Sequence, residues 1–163
     1  MIMQNGFVQQ GNLDAKGLRF AVILSRFNSE IGEKLLQGAC EELQRLGAPP
    51  SHVEIFKVPG AFEIPVLAAA LAHGGKFQAI LALGTIIRGE TPHFDYVCDA
   101  ALSGINAVAM ATQIPVANGI ITANTQEQAL DRTGGRSGHL GVQAAQAAVE
   151  MAHLLRQIRG NAL

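Results

Sequence analysis

At 163 residues the chain is long enough for one domain with a sizeable core, and its net charge of −1 with no basic block argues against nucleic acid as a partner. Charged residues make up only 15%, against about 25% in a typical soluble domain, so much of the surface is expected to meet other copies in a homo-oligomer. The opening "MIMQNGFVQQ" lacks the layout of a signal peptide, and the richest apolar stretch, "IPVLAAALA" from Ile64, is far below the ~20 residues of a membrane span, so no membrane role is expected.

Residues 1–17 read as an N-terminal arm with little core of its own, and residues 18–163 as a single domain. "LRFAVIL" (18–24) is a continuous apolar run, the mark of a parallel strand covered on both faces. Asn28 or Ser29 can cap the helix that follows (30–46), which Gly47 and Pro49-Pro50 end. "HVEIFKV" (52–58) alternates as a strand and stops at Pro59-Gly60; a helix over 62–73 tolerates Pro65 only in its first turn. "AILALG" (79–84) is a third strand. Apolar positions recur at helical spacing over 94–112, "PVANGIIT" (115–122) is a fourth strand, and a short helix spans 125–132. The turn "TGGRSGHLG" leads to a last helix ending near Arg159. Cys40 and Cys98 stand isolated, as suits reduced thiols in the cytoplasm.

Strands alternating with helices imply right-handed βαβ units and a parallel sheet with helices on both faces. Ligands then bind at the carboxyl ends of the strands, which singles out four segments: 25–28, 58–63, 84–93 and 118–122.

In the third segment, Gly84-x-x-x-x-Gly89-Glu90-Thr91 nearly spells a nucleotide phosphate loop, but Glu90 stands where the lysine belongs. Backbone N–H groups of Gly89, Glu90 and Thr91 can still cradle a smaller phosphate, with Thr91 as a plain helix cap being the bland alternative. Histidine as a residue type can pass protons in either direction, so His93 suits proton transfer; Asp95 either orients it or complements the helix dipole. The other histidines share no ligand spacing, so no metal is expected. In "VPGAFEIP", Phe62 is most simply core and Glu63 a helix-start carboxylate, or the pair meets a polyol. Phe27 in "SRFN" is either core or a ring that stacks on a planar heterocycle. Asn118 sits among apolar neighbours, where a buried amide needs a partner, and Arg132 suits either phosphate or a helix C-terminus.

Together, "SRFN", "VPGAFEIP", "ALGTIIRGETPHFDYV", "GIIT" and "TQEQALDR", in this order, closely resemble the lumazine synthase family over residues 18–159. The resemblance implies a flavodoxin-like α/β three-layer αβα sandwich with a four-stranded parallel sheet, its N-terminal arm adding to a neighbouring subunit. It implies condensation of 5-amino-6-(ribitylamino)uracil with 3,4-dihydroxy-2-butanone 4-phosphate, a transferase reaction that forms 6,7-dimethyl-8-ribityllumazine, phosphate and water without a cofactor. Phe27 would stack on the pyrimidine. Ala61, Phe62 and Glu63 would hold the ribityl chain and ring edge, and Thr85, Ile86, Ile87 and Asn118 would line the pyrimidine pocket. Glu90 and Thr91 would offer backbone donors to the phosphate, Arg132 would clamp it, and His93 would move protons. The family also implies pentamers with sites between subunits, in some members closed into an icosahedral capsid of about 60 subunits, with encapsulated riboflavin synthase as a partner. Two departures stand out: Leu140 replaces a common lysine, and Glu90 is acidic where small residues are usual. A lumazine- or flavin-storing protein, an electron-transfer flavodoxin and a purely structural shell are the competing readings.

Overall fold

The computed structural model describes residues 6 to 160. In chain order they form β1 (Phe20–Ser25), α1 (Ser29–Arg45), a 3₁₀ turn (Pro50–His52), β2 (Val53–Val58), a second 3₁₀ turn (Ala61–Glu63) and α2 (Ile64–His73). Then come β3 (Ala79–Ile87), α3 (His93–Thr112), β4 (Val116–Ala123), α4 (Gln126–Asp131), the short hairpin strands β5 (Thr133–Gly135) and β6 (Gly138–His139), and α5 (Leu140–Ile158).

The main sheet is parallel throughout, in the order β2-β1-β3-β4. All six residues of β1 are buried, as are all but the last of β3, because these two inner strands are covered on both faces. One core lies between the sheet and helices α1 and α5, and holds Val22, Leu24, Leu81, Leu83, Leu35 and Val149. The other lies towards α2 and α3, and holds Ala21, Ile23, Ile80, Ile64, Ala101 and Ile105. This is the parallel sheet with helices on both faces that the strand-helix alternation predicts, and the flavodoxin-like three-layer αβα architecture that the family resemblance implies. Gly104 lets α3 lie close on α2: a Cβ there would stand 2.5 Å from Cγ of Pro65.

The chain steps from β1 outward to β2, then crosses back past β1 to β3, so the direction of winding reverses between β1 and β3. Crevices form at such a reversal, outside the carboxyl ends of the strands. Here the crevice is deepened because β3 outruns its neighbour: β1 pairs with β3 only as far as Leu24 and Leu83, whereas β3 stays paired with β4 to Ile87 and Ala123.

The structure departs from the sequence-based expectation in four places. β3 continues three residues beyond Gly84, because pairing with β4 extends the ladder past the apolar run. Residues 118–122 lie inside β4, in keeping with the strand read over 115–122, and so are not the segment beyond its carboxyl end where a ligand is expected. Asn28 precedes α1 in a left-handed conformation (φ 56°, ψ 50°) and makes no side-chain cap. The chain also joins the body before residue 18: Ala15 is fully buried in the core, its N–H donating to the carbonyl of Leu46 at 2.8 Å.

Candidate active site

At the reversal between β1 and β3 lies a cleft of about 350 Å³. β1 leads Phe27 and Asn28 to it, the turn after β2 supplies Gly60 to Glu63, β3 ends in it with Thr85 to Ile87, and Gly89, Thr91, His93, Phe94 and Val97 close it. Nine sequence-predicted residues are thus brought together: Phe27, Ala61, Phe62, Glu63, Thr85, Ile86, Ile87, Thr91 and His93.

The aromatic residues answer the question that the sequence left open. Phe27 is 72% exposed and Phe62 63% exposed, so neither belongs to the core. Both rings stand at the rim of the cleft, where a flat heterocycle gains by stacking. Between them Asn28 Nδ2 donates to the carbonyl of Thr85 at 3.0 Å, joining the loop after β1 to the free end of β3. Asn28 is a residue whose role as a strut the sequence hid behind its reputation as a helix cap.

The end of β3 offers main-chain recognition. Alternate residues of a strand direct their N–H and C=O groups to opposite neighbours. Ile80 and Arg88 donate to the β4 side, to the carbonyls of Pro115 and Ala123. Ile87, the odd residue beside them, therefore turns its amide groups towards the cleft, beyond the end of β1. The hydroxyls of Ser25 and Thr85 are buried without a partner among the described residues, and Thr85 lines the cleft.

The anion turn has its own signature. Helix α3 starts at His93, with Pro92 as the residue before it and no side-chain cap, so Thr91 is not the cap that the bland alternative required. Among the described residues, no acceptor is found for the N–H groups of Gly89, Glu90 or Thr91. Free amides ahead of a helix N-terminus form a nest for an anion. Glu90 is exposed and its side chain does not line the cleft, so its negative charge stays clear of the turn's inner face.

His93 is exposed on the first turn of α3, and neither ring nitrogen meets a protein partner among the described residues. Asp95 does not orient it. That carboxylate faces Arg88, whose Nη2 and Nη1 donate to its two oxygens at 3.0 and 3.3 Å. A guanidinium fork matches a carboxylate better than one imidazole N–H can, so Arg88 takes the place of His93 as the partner of Asp95, whose position in the first turn of α3 still suits the helix dipole. Nearby, burial and then the charge of Asp95 push the Cys98 thiol up, keeping it protonated and inert.

Two predicted residues lie elsewhere. Arg132 ends α4 and borders a second cleft of about 270 Å³ with Thr122, Ala123, Gln128, Asp131 and Ser137; the two clefts share no lining residue. The carbonyl of Arg132 accepts from the N–H of Leu140, and among the described residues its guanidinium has no carboxylate partner. Asp131 beside it accepts from Ser137 Oγ and the Arg136 N–H, which hold its carboxyl below the usual range. Asn118 is a correction: it is neither buried nor at a strand end. It sits exposed on the edge strand β4 opposite Ala82, its Oδ1 accepting from the Ile120 N–H at 3.0 Å, because on an edge strand apolar neighbours do not enforce burial. Leu140, in the place of the common lysine, packs against the core at the start of α5.

Phe94, Val97 and Gly60 line the cleft without having been singled out as site residues, Asn28 lines it although it read only as a helix cap, and Gly89 lines it as the phosphate turn expects. Helical spacing placed Phe94 and Val97 on an apolar face, but only the tertiary fold shows that this face borders a cleft. Among the described residues, no three His, Cys, Asp or Glu side chains gather as metal ligands, and no helix is long and apolar enough to cross a membrane.

Comparison with known proteins agrees with this geometry. The family model described as 6,7-dimethyl-8-ribityllumazine synthase matches residues 17–156. A 6,7-dimethyl-8-ribityllumazine synthase of Desulfatibacillum aliphaticivorans is 47% identical over 150 residues, 92% of this chain and 97% of that protein. One of Chlorobium phaeobacteroides is 49% identical over 148 residues, 91% of this chain and 96% of that protein. The matched span includes both clefts, the anion turn and His93, and the chain belongs to the 6,7-dimethyl-8-ribityllumazine synthase family.

Proposed function

We propose that this protein condenses 5-amino-6-(ribitylamino)uracil with 3,4-dihydroxy-2-butanone 4-phosphate to give 6,7-dimethyl-8-ribityllumazine, phosphate and water, a transferase reaction of riboflavin biosynthesis. The observation behind it is the gathering of exposed Phe27 and Phe62, Glu63, His93 and the open amides of Gly89 and Thr91 around one cleft of about 350 Å³. Those groups match a flat ring, a polyol and a phosphate in turn.

The pyrimidine stacks on Phe27 while the main chain of Ile87 reads its edge, and Thr85 and Ile86 line the pocket beside it. Ala61, Phe62 and Glu63 hold the ribityl chain. The phosphate of the second substrate rests on the amides of Gly89, Glu90 and Thr91. The substrate amine then attacks the ketone and loses a first water to give the imine, phosphate leaves by elimination, and the ring closes with loss of a second water. Each step moves a proton, and His93, free of protein partners, can accept or return it. Holding two reactants in register supplies much of the acceleration, up to ~7–11 kcal/mol in favourable cases.

Arg132 and Asn118 contribute from a neighbouring copy, so that each active site spans two subunits. The low charged share of 15% supports an assembly of this kind, as do the exposed Val66, Tyr96 and Met110 on α2 and α3. The assembly is a pentamer in the cytoplasm, able to close further into an icosahedral capsid around riboflavin synthase.

The test is direct. Purified protein is mixed with both substrates and the lumazine absorbance followed, beside His93→Ala and a protein-free control. A rate well above the spontaneous one that falls ~10²–10⁴-fold in the variant supports the function and the role of His93. A rate equal to the spontaneous one, from protein that still binds the pyrimidine, would leave a storage protein instead.

A further inference from the structure

Arg88 stands between the last residue of β3 and Gly89, at the mouth of the anion turn. An arginine there invites direct contact with phosphate. Its guanidinium is already committed on every nitrogen: Nη1 and Nη2 to Asp95, and Nε to Oδ1 of Asn124 at 2.9 Å. It also lies over the ring of Phe94, 4.3 Å from the centroid, where a planar cation is attracted to the aromatic face. Its own N–H donates to the carbonyl of Ala123 at 2.9 Å.

One side chain therefore ties together the end of β3, the first turn of α3 and the segment after β4. Gly89 to Pro92 run between two of those anchors, and the N–H groups of Gly89, Glu90 and Thr91 have no bond of their own among the described residues. Stability alone does not account for the arrangement. The side chains of Arg88 and Asp95 are 43% and 60% exposed, and exposed pairs contribute little to folding. Holding a three-way junction beside a substrate turn is a different use of the same contacts.

We propose that Arg88 is the positioning residue of the anion turn. Through Asp95, Asn124 and Phe94 it sets the amides of Gly89 to Thr91 and the start of the helix that carries His93, without itself touching phosphate. The inference rests on the assignment of that turn to the phosphate of the second substrate.

Asp95→Asn and Asn124→Ala separate positioning from direct contact, because both keep the cation and loosen its anchors. Steady-state KM for each substrate and inhibition by inorganic phosphate are measured for the native protein, these two variants, Arg88→Ala and Arg88→Lys. Circular dichroism and light scattering confirm fold and assembly. Arg88→Ala is expected to raise KM for the butanone phosphate, and weaken phosphate inhibition, by about tenfold or more, with KM for the pyrimidine within about threefold, as misplacement of a turn predicts. Asp95→Asn and Asn124→Ala shift the same KM in the same direction. Arg88→Lys gives no rescue, since an ammonium cannot serve carboxylate, amide and ring together. Asp95→Asn that leaves this KM unchanged, or lowers it, would overturn the proposal: a released guanidinium would then be binding phosphate directly. Native protein that turns over but is not inhibited by phosphate would overturn the assignment of the turn as well. Should Arg88→Ala fail to assemble, the two anchor variants decide the matter.

Discussion

Asn28 Nδ2 donates to the carbonyl of Thr85 at 3.0 Å across the gap where β1 has ended and β3 continues. Main chain on one side and side chain on the other replace the missing rung of the ladder, and the bond fixes the spacing of two walls of the cleft. Asn28 adopts φ 56°, a left-handed conformation that asparagine tolerates and alanine does not. Asn28→Ala should therefore lose both the hydrogen bond and the backbone preference, roughly 1–3 kcal/mol in all. Asn28→Gly should lose only the bond, and so cost less. Both should raise KM for the pyrimidine. Urea unfolding at fixed protein concentration, beside KM, checks this; an Asn28→Gly protein matching the native one in both would show that the bond is idle.

Gly104 on α3 meets Pro65 on α2, with 2.5 Å from a built Cβ to the ring's Cγ. The proline ring cannot rotate away, so a methyl group there must push the helices apart. Gly104→Ala should cost about 1–3 kcal/mol by overpacking, offset in part by alanine's better helix propensity. Because Phe62 and Glu63 lead directly into α2 and His93 to Val97 begin α3, kcat/KM should fall along with Tm. A variant of unchanged Tm would mean that the helix pair gives way freely.

Much of this was legible in the chain. The unbroken apolar runs of β1 and β3 identify inner strands of a parallel sheet, and the rule for such sheets names the loops that matter. The motif from Gly84 to His93 can be placed at a strand end, and its resemblance to a known family adds substrates and roles. What the sequence could not carry was set by pairing and exposure. "TII" after Gly84 remains strand only because β4 runs alongside it. A single Phe27 or Phe62 reads most simply as core, and tertiary exposure overturns that reading. Asp95 had His93 and the helix dipole as candidate partners; Arg88, seven residues earlier, wins because the turn between them folds back. Asn118 misled as to burial because β4 is an edge strand of the sheet, on which Asn118 and Thr122 stay exposed between buried neighbours.

Far from the cleft, Glu42 of α1 is buried and accepts hydrogen bonds from Arg45 Nε and Nη2, at 2.8 and 2.7 Å, and from Gln146 Nε2 of α5 at 2.8 Å. The bonds from Arg45, more than offsetting burial, hold its carboxyl below the usual range. A carboxyl lowered in the folded state stabilises above its unfolded pKa of ~4.3, and that stabilisation disappears as pH falls through the folded value. Glu42→Gln should accordingly be less stable than the native protein at about pH 7, and the gap should close as pH falls well below ~4. Thermal melts across this range measure it. A gap that stays constant would mean that the link between α1 and α5 does not depend on the charge.

His93 and Arg132 border separate clefts of one chain, so a site built across two subunits makes a prediction about mixtures. His93→Ala and Arg132→Met should each be nearly inactive as pure assemblies. Unfolded together in equal amounts and reassembled, they should recover about a quarter of native activity, because random pairing leaves one interface in four with both halves intact. The same two proteins merely mixed after assembly should recover nothing until subunits exchange. If the reassembled mixture shows no more than the sum of its parts, Arg132 acts within its own subunit or not at all. Recovery near a quarter would show that the guanidinium reaches the reaction from a neighbour, which is why this arginine can stand without a carboxylate partner among the described residues.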